Sequence, residues 1–235
     1  GPAAYWVATG TRLRASTEDK GKYAYDTIAF FPNGMIAATT GKACRFEGVV
    51  APCETPELLL PAAALVRTWK AFACIGGKHA RIETAVDRET KDEKDIVSAS
   101  WFRCGDAVVR IKVPSDEGFP SIGMNVLGPN PKPLADLDPK RIKMTLGRMS
   151  GKKDETTLRL TFQDKTLFIK ADEQELEAPI KECYQVGFKV AVRLDVIHKF
   201  LASAGPGGQM ETSDTVLRWK DTCGLSVMMP VSEEK

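Results

Sequence analysis

The residue types that most often carry out reactions are few in this chain and poorly spaced. Its 235 residues include two histidines, His79 and His198, and six cysteines, Cys44, Cys53, Cys74, Cys104, Cys183 and Cys223. Cys74 stands five residues before His79 in "CIGGKH", but no second pair of ligands completes a zinc site. There is no CxxC pair, and no nucleophile signature surrounds any cysteine. The "GPGG" at 205–208 lacks the Lys-Ser/Thr that a phosphate-binding loop requires. No pair of carboxylates stands out for acid-base work. The reading is therefore a non-enzyme with no metal and no cofactor; a cysteine-dependent hydrolase using Cys74 or Cys183 is the weakest alternative. Scattered thiols, with no signal peptide and no apolar run of membrane length, point to a reducing cytoplasm.

What remains is binding chemistry, from cations and from an apolar ending. Lys and Arg number 33 against 31 Asp and Glu, so contact with nucleic acid depends on where the cations stand, not on their excess. The chain closes with "LSVMMPVSEEK", an apolar, Met-rich strand almost at the terminus, where ends are commonly frayed and polar. The opening Gly1-Pro2 reads as a protease-cleavage scar.

Positioning these residues falls to a tandem repeat. "GPNPKP" at 128–133 is the one good linker, dividing the chain into 1–130 and 131–235. "TIAFFPNGMIAATTG" reads as strand, Asn33-Gly34 two-residue turn, strand, and is matched by "TTLRLTFQDKTLFIKAD". "LLLPAAALVRTWKAFACIGG" reads as a helix with Pro61 at its first position and Leu65, Val66, Trp69, Phe72 and Ala73 inward. Its counterpart is "KVAVRLDVIHKFLASAGPGG", with Leu194, Ile197, Phe200 and Leu201 inward.

Asn33 maps to Asp164 and Ala62 to Arg193, an offset of 131, whereas Pro114 maps to Pro230, an offset of 116. The difference of 15 lies around "DRETKDEKD", a solvated hairpin tip inserted in the first copy. A second helix per copy precedes each hairpin. In the second half Asp138 caps it and Pro139 opens it, with Ile142, Leu146 and Met149 as its stripe. In the first half only "AAYWVATGTRLRAS" can serve, and Gly10 weakens it. The pattern supports an α+β class: two tandem domains, each with helices on one face of an antiparallel sheet.

Three segments make a resemblance specific: "ATTGKACRF" after the first hairpin, "EGFPSIGMNVLGP" at the boundary and "VMMP" at the end. In this order they resemble the A-T-D-G turn, the G-x-F-P-D-Y segment and the closing V-M-P strand of the bacterial replicative sliding clamp, the β subunit of DNA polymerase III. The match covers the last two of that family's three domains. The chain departs from the pattern in having Thr40 for the Asp, "FPSIGM" for a basic F-P-D-Y-R-R run, and an acidic Ser232–Lys235 tail.

The resemblance implies tandem DNA-clamp domains, sheets outside and helices on the inner face, in a six-domain ring around double-stranded DNA. Contact with DNA would be sequence-independent, through Arg12, Arg14, Arg67, Lys70, Lys140, Arg141, Arg148, Lys152, Arg193 and Lys199; read singly, such cations are solvated helix faces. It also implies an apolar cleft for short linear motifs of DNA polymerase, clamp loader and repair proteins. Its residues would be Tyr25, Thr39, Gly41, Lys42, Ala43, Cys44, Pro120, Met124, Val126, Val227, Met229, Pro230 and Val231. From spacing alone Met228 and Met229 are ordinary strand residues. With two domains per chain the ring is a trimer, or a dimer if a further domain precedes. The alternative is a clamp-derived peptide-binding or interaction module that does not encircle DNA.

Overall fold

The computed structural model describes residues 1–18, 24–91, 94–114, 118–149 and 153–231. The first half begins with α1 (Ala3–Ala15), followed by β1 (Thr27–Phe30), β2 (Ile36–Thr39), β3 (Ala43–Glu47), β4 (Leu58–Pro61), α2 (Ala62–Gly76), β5 (Glu83–Lys91), β6 (Lys94–Cys104) and β7 (Ala107–Lys112). A short helix, α3 (Met124–Leu127), lies in the connection to the second half. There follow β8 (Lys132–Asp136), α4 (Pro139–Leu146), β9 (Thr157–Phe162), β10 (Thr166–Ala171), β11 (Gln174–Pro179) and β12 (Glu182–Cys183). The last elements are β13 (Lys189–Arg193), α5 (Leu194–Ser203), β14 (Gln209–Thr212), β15 (Leu217–Lys220) and β16 (Gly224–Met228).

The repeat is visible in the strand order. The first copy contains β3-β2-β1-β4 and the second β11-β10-β9-β13; likewise β5-β6-β7 answers to β14-β15-β16. The copies are fused, because β16 pairs antiparallel with β3. That seam produces a nine-stranded sheet, β12-β8-β14-β15-β16-β3-β2-β1-β4. β16 is its central strand, hydrogen-bonded on both sides and buried along its length, which explains an apolar strand so near the end.

The helix faces follow the apolar spacing. On α2, Leu65, Val66, Trp69 and Phe72 are buried in one core with Leu13, Ile28, Leu60 and Phe102. On α4 and α5, Ile142, Leu146, Leu194, Ile197, Phe200 and Leu201 enter a second core with Leu158, Leu160 and Trp219. The Asp138 carboxylate accepts from the Lys140 backbone N–H at 2.9 Å, capping α4 as expected. A third core, with Phe31, Phe46, Phe119, Ile122, Leu127 and Val227, joins the connecting segment to the strands around the seam.

Local expectations are refined at three points. The helical reading of "LLLP" gives way to strand β4, with Pro61 as the residue before α2, because a residue preceding proline is pushed out of the helical region. The first hairpin is not a two-residue turn: Pro32 and Asn33 form the corner, the Gly34 N–H donates to the Phe31 carbonyl at 3.0 Å, and Gly34 takes φ +85°. α1 is a full helix despite Gly10, whose missing side chain is what lets α2 approach. A Cβ there would lie 2.7 Å from the Trp69 ring. The charged insertion lengthens the β5–β6 hairpin, whose residues 92–93 lie outside the described residues.

Candidate functional site

The segment Thr39–Cys44 is a tight turn at the seam. Thr39 Oγ1 accepts from the Gly41 N–H at 2.9 Å, and Thr40 Oγ1 accepts from the N–H groups of Lys42 and Ala43 at 3.3 and 3.0 Å. Thr40 thus makes with its hydroxyl the backbone bonds for which an Asp would use its carboxylate. Gly41 has φ +82°, and a Cβ on it would lie 2.6 Å from Tyr25 Oη, so glycine is required both by conformation and by the ring beside it. Past β16 the Met229 N–H donates to the Lys42 carbonyl at 2.8 Å, holding the closing strand against the turn.

These bonds bring together Tyr25, Thr39, Gly41, Lys42, Cys44, Val227 and Met229. Cys44 and Val227 share the third core with Phe119, Ile122 and Leu127, with Val126 packed at its margin. Burial pushes the Cys44 thiol up to about 11, against the hydrogen bond that it shares with Thr39 at 2.8 Å, so it is a neutral apolar group here. Two thioethers project into solvent, Met124 at 55% and Met229 at 52% exposure. Pro120, Pro230 and Val231 are half-buried; the Val231 N–H donates to the Ala191 carbonyl at 2.8 Å, so the chain leaves along β13. Ala43 is the exception. Its side chain lies with Met228 in the helix-side core, not beside Cys44, because alternate strand residues face opposite sides. The acidic tail, Ser232–Lys235, lies outside the described residues.

The cations divide into two groups. Arg14, Arg67, Lys70, Lys140, Arg141 and Arg148 are exposed, all on α1, α2 and α4 or just after α4. These helices pack with α5 as one contiguous layer, α2 on α1, α1 on α5, and α5 on α4. Lys143 and Lys181, which the sequence did not single out, line with Lys140 and Arg141 a recess of about 800 Å³ beside the start of α4. Three expected contacts are already engaged. Arg12 is 14% exposed and donates to Glu47; Arg193 is bidentate to Asp195 at 2.9 and 2.7 Å; Lys199 donates to the Thr17 carbonyl at 3.1 Å. Each has an acceptor in reach, as does the exposed Arg67, whose Nε donates to the Ala63 carbonyl at 3.2 Å. Lys152 lies outside the described residues.

Sequence reasoning missed the group under the seam. Arg45 is wholly buried and donates to both Asp221 carboxylate oxygens at 2.6 and 3.0 Å, to Ser226 Oγ at 3.1 Å and to Glu47 at 3.0 Å. Glu47 also receives Arg12 and Thr9. Burial pushes Asp221 up, but the Arg45 hydrogen bond and charge, with N–H donors from Cys223 and Gly205, outweigh it and hold the carboxyl below its ordinary value. An Arg and a Glu two apart on a strand read as solvent-facing, and nothing local signals that α1 and α5 cover them. His79 is exposed and His198 half-buried on α5, its pKa lowered by burial and by Lys143. Among the described residues no group of His, Cys, Asp and Glu is arranged to hold a metal.

No family model matches the chain, and no curated protein does. Solved structures do. A Caulobacter crescentus β sliding clamp is 16% identical with a TM-score of 0.70, covering 99% of this chain and 64% of that one. A Helicobacter pylori β clamp bound to a DNA ligase peptide gives 12% and 0.67, over 98% and 64%. The Thermotoga maritima polymerase III β subunit gives 12% and 0.65, over 99% and 63%. The chain thus spans a little under two thirds of the length of the clamps it matches, and over that span it has the fold of the bacterial DNA polymerase III β sliding clamps.

Proposed function

We infer that the chain works as a sliding clamp or clamp-like protein, acting by binding and not by catalysis. Its two clamp-like domains, 1–130 and 131–235, would turn the helix layer toward duplex DNA and self-associate into a ring. DNA polymerase, clamp loader and repair proteins would dock short linear motifs in the apolar cleft at the seam, in the cytoplasm. The observation that carries this reading is the contiguous layer α2-α1-α5-α4, with exposed Arg and Lys, over a sheet that runs unbroken through both repeats. Such a surface meets phosphates without reading bases, and topology rather than affinity would retain it. A peptide-bound relative, the Helicobacter pylori clamp with its DNA ligase peptide, supports a docking role. No helix among the described residues is long and apolar enough to cross a membrane.

The test is retention on DNA with and without a loader. A ring stays on closed circles and runs off linear DNA of the same sequence. Equal loss from both, with motif peptides still bound, would replace this reading by that of an interaction module that does not encircle DNA.

A further inference from the structure

The two repeats differ where the first helix of each meets the turn after its second helix. In the first repeat that place is closed. The N–H groups of Ala3 and Ala4, opening α1, donate to the carbonyls of Ala80 and Lys78 at 2.8 and 3.0 Å, and Trp6 lies over Trp69 with ring centroids 5.3 Å apart. In the second repeat Pro139 has no N–H to offer, and that of Lys140 turns to the Asp138 carboxylate instead. Among the described residues no hydrogen bond joins α4 to the turn at 204–208, and the recess of about 800 Å³ opens between them. The fold itself therefore does not require this opening.

One wall of the recess is the Gly205–Gly208 turn, which is fixed from behind. Trp219 Nε1 donates to the Gly205 carbonyl at 3.0 Å, and the Gly205 N–H donates to the Asp221 carboxylate at 2.8 Å. Gly208 sits so close to the indole that a Cβ would overlap it. Pro139, Pro179 and Pro206 add rigid apolar surface. Around the rim stand Lys140, Arg141 and Lys143 of α4 and Lys181 of the β11–β12 turn, all exposed. The acid among the described lining residues is Asp138, which caps α4 and touches Arg141 only at 3.9 Å. No ion pair among the described residues engages Lys140, Lys143 or Lys181.

We propose that this recess binds a nucleoside polyphosphate. Four cations facing one committed acid call for a ligand with several negative charges, and concave walls focus their field on the space between them. Phosphate oxygens would meet the guanidinium and the ammonium groups, while the base and sugar lie against the proline and glycine walls. The size is that of a small-molecule site; a duplex is wider than the recess and could touch only its rim. The inference goes beyond the clamp reading and does not rest on it, since a nucleotide could occupy the recess whether or not the chain encircles DNA.

Calorimetric titration of the whole chain with ATP, without divalent metal, tests it. ATP should saturate one site per chain, bind more tightly than inorganic tripolyphosphate, and weaken as salt rises. Lys143→Glu with Lys181→Glu should weaken ATP by about tenfold or more while the melting temperature stays near the parent's, because both side chains are exposed. Lys143→Arg with Lys181→Arg should retain binding. Arg67→Glu with Lys70→Glu, the same change of charge on α2, should leave it unaltered. A parent that takes up no ATP, tripolyphosphate bound as tightly as ATP, or equal weakening by the α2 pair would each overturn the proposal. So would a Lys143 and Lys181 reversal that loosens duplex DNA but leaves ATP bound as by the parent, since the rim would then serve the phosphate-facing layer alone. Saturable ATP binding with loss from circular DNA would leave the proposal standing and sink the DNA reading instead.

Discussion

Single side chains show how little local chemistry separates a structural residue from a binding one. Met228 and Met229 are neighbours, yet one is wholly buried on the helix side and the other half in solvent beside the Thr39–Cys44 turn. An unbranched thioether in that position can repack around varied apolar anchors. Met229→Ala should therefore weaken a motif peptide by about 1–3 kcal/mol in fluorescence anisotropy while the melting temperature stays near the parent's. A lowered melting temperature with unchanged affinity would make Met229 an ordinary strand residue.

Asp221 belongs to the opposite class, since it is buried, charged and shared between the two repeats through Arg45. Its carboxyl is held below its ordinary value, so it contributes stability at all pH values above that of the unfolded chain. The contribution is lost as pH falls through the depressed folded value. Asp221→Asn should lower stability at neutral pH by roughly 3–5 kcal/mol, because Arg45 is left buried without its partner. It should also flatten the acid limb of a denaturant series run below about pH 4. An unaltered acid limb would place the pH dependence elsewhere.

At the scale of elements, much of the fold could be read from spacing. Both long helices, the capped α4 and the order of strands around them follow from apolar periodicity and from Pro and Gly at boundaries. What stayed hidden is non-local. Nothing in "ACRFE" or "GLSVM" says that these strands meet, because their pairing joins residues 43–47 to 224–228. The burial of Arg45 follows from that unseen contact. The same limit applies to the site: the turn and the closing strand were legible, but the turning of Ala43 to the helix side and the engagement of Arg12, Arg193 and Lys199 depend on partners distant in sequence. Gly10 shows why a propensity can mislead. As a helix residue it costs up to about 1 kcal/mol relative to Ala, yet Gly10→Ala should destabilise the fold, since its Cβ would press on Trp69 and Val66. Overpacking of this kind typically costs about 1–3 kcal/mol, enough to outweigh the propensity gained. Chemical denaturation showing a more stable variant would mean that the α1–α2 contact yields easily.

For the molecule as a whole, the decisive question is whether the helix layer contacts phosphates. A net charge of +2 gives no answer, because attraction depends on the face presented. Lys140, Arg141 and Arg148 stand exposed on or beside α4, and Arg141 has an acidic neighbour in loose contact, Asp138 at 3.9 Å. Reversing all three to Glu should weaken retention on duplex DNA and flatten its dependence on salt. The logarithmic slope should shrink by about 0.9 for each phosphate contact removed. Base sequence should have little influence on parent or variant, since phosphate contacts carry no sequence information. Motif peptides should bind the variant as they bind the parent, because the residues of the proposed cleft lie at the seam and on the connecting segment and not on α4. Arg12→Ala offers the internal contrast. It removes a cation already committed to Glu47, so it should lower stability without changing the salt slope. If the triple variant is retained as well as the parent while Arg12→Ala is not, the phosphate-facing surface lies at α1 near the seam, and the α4 cations only solvate their helix.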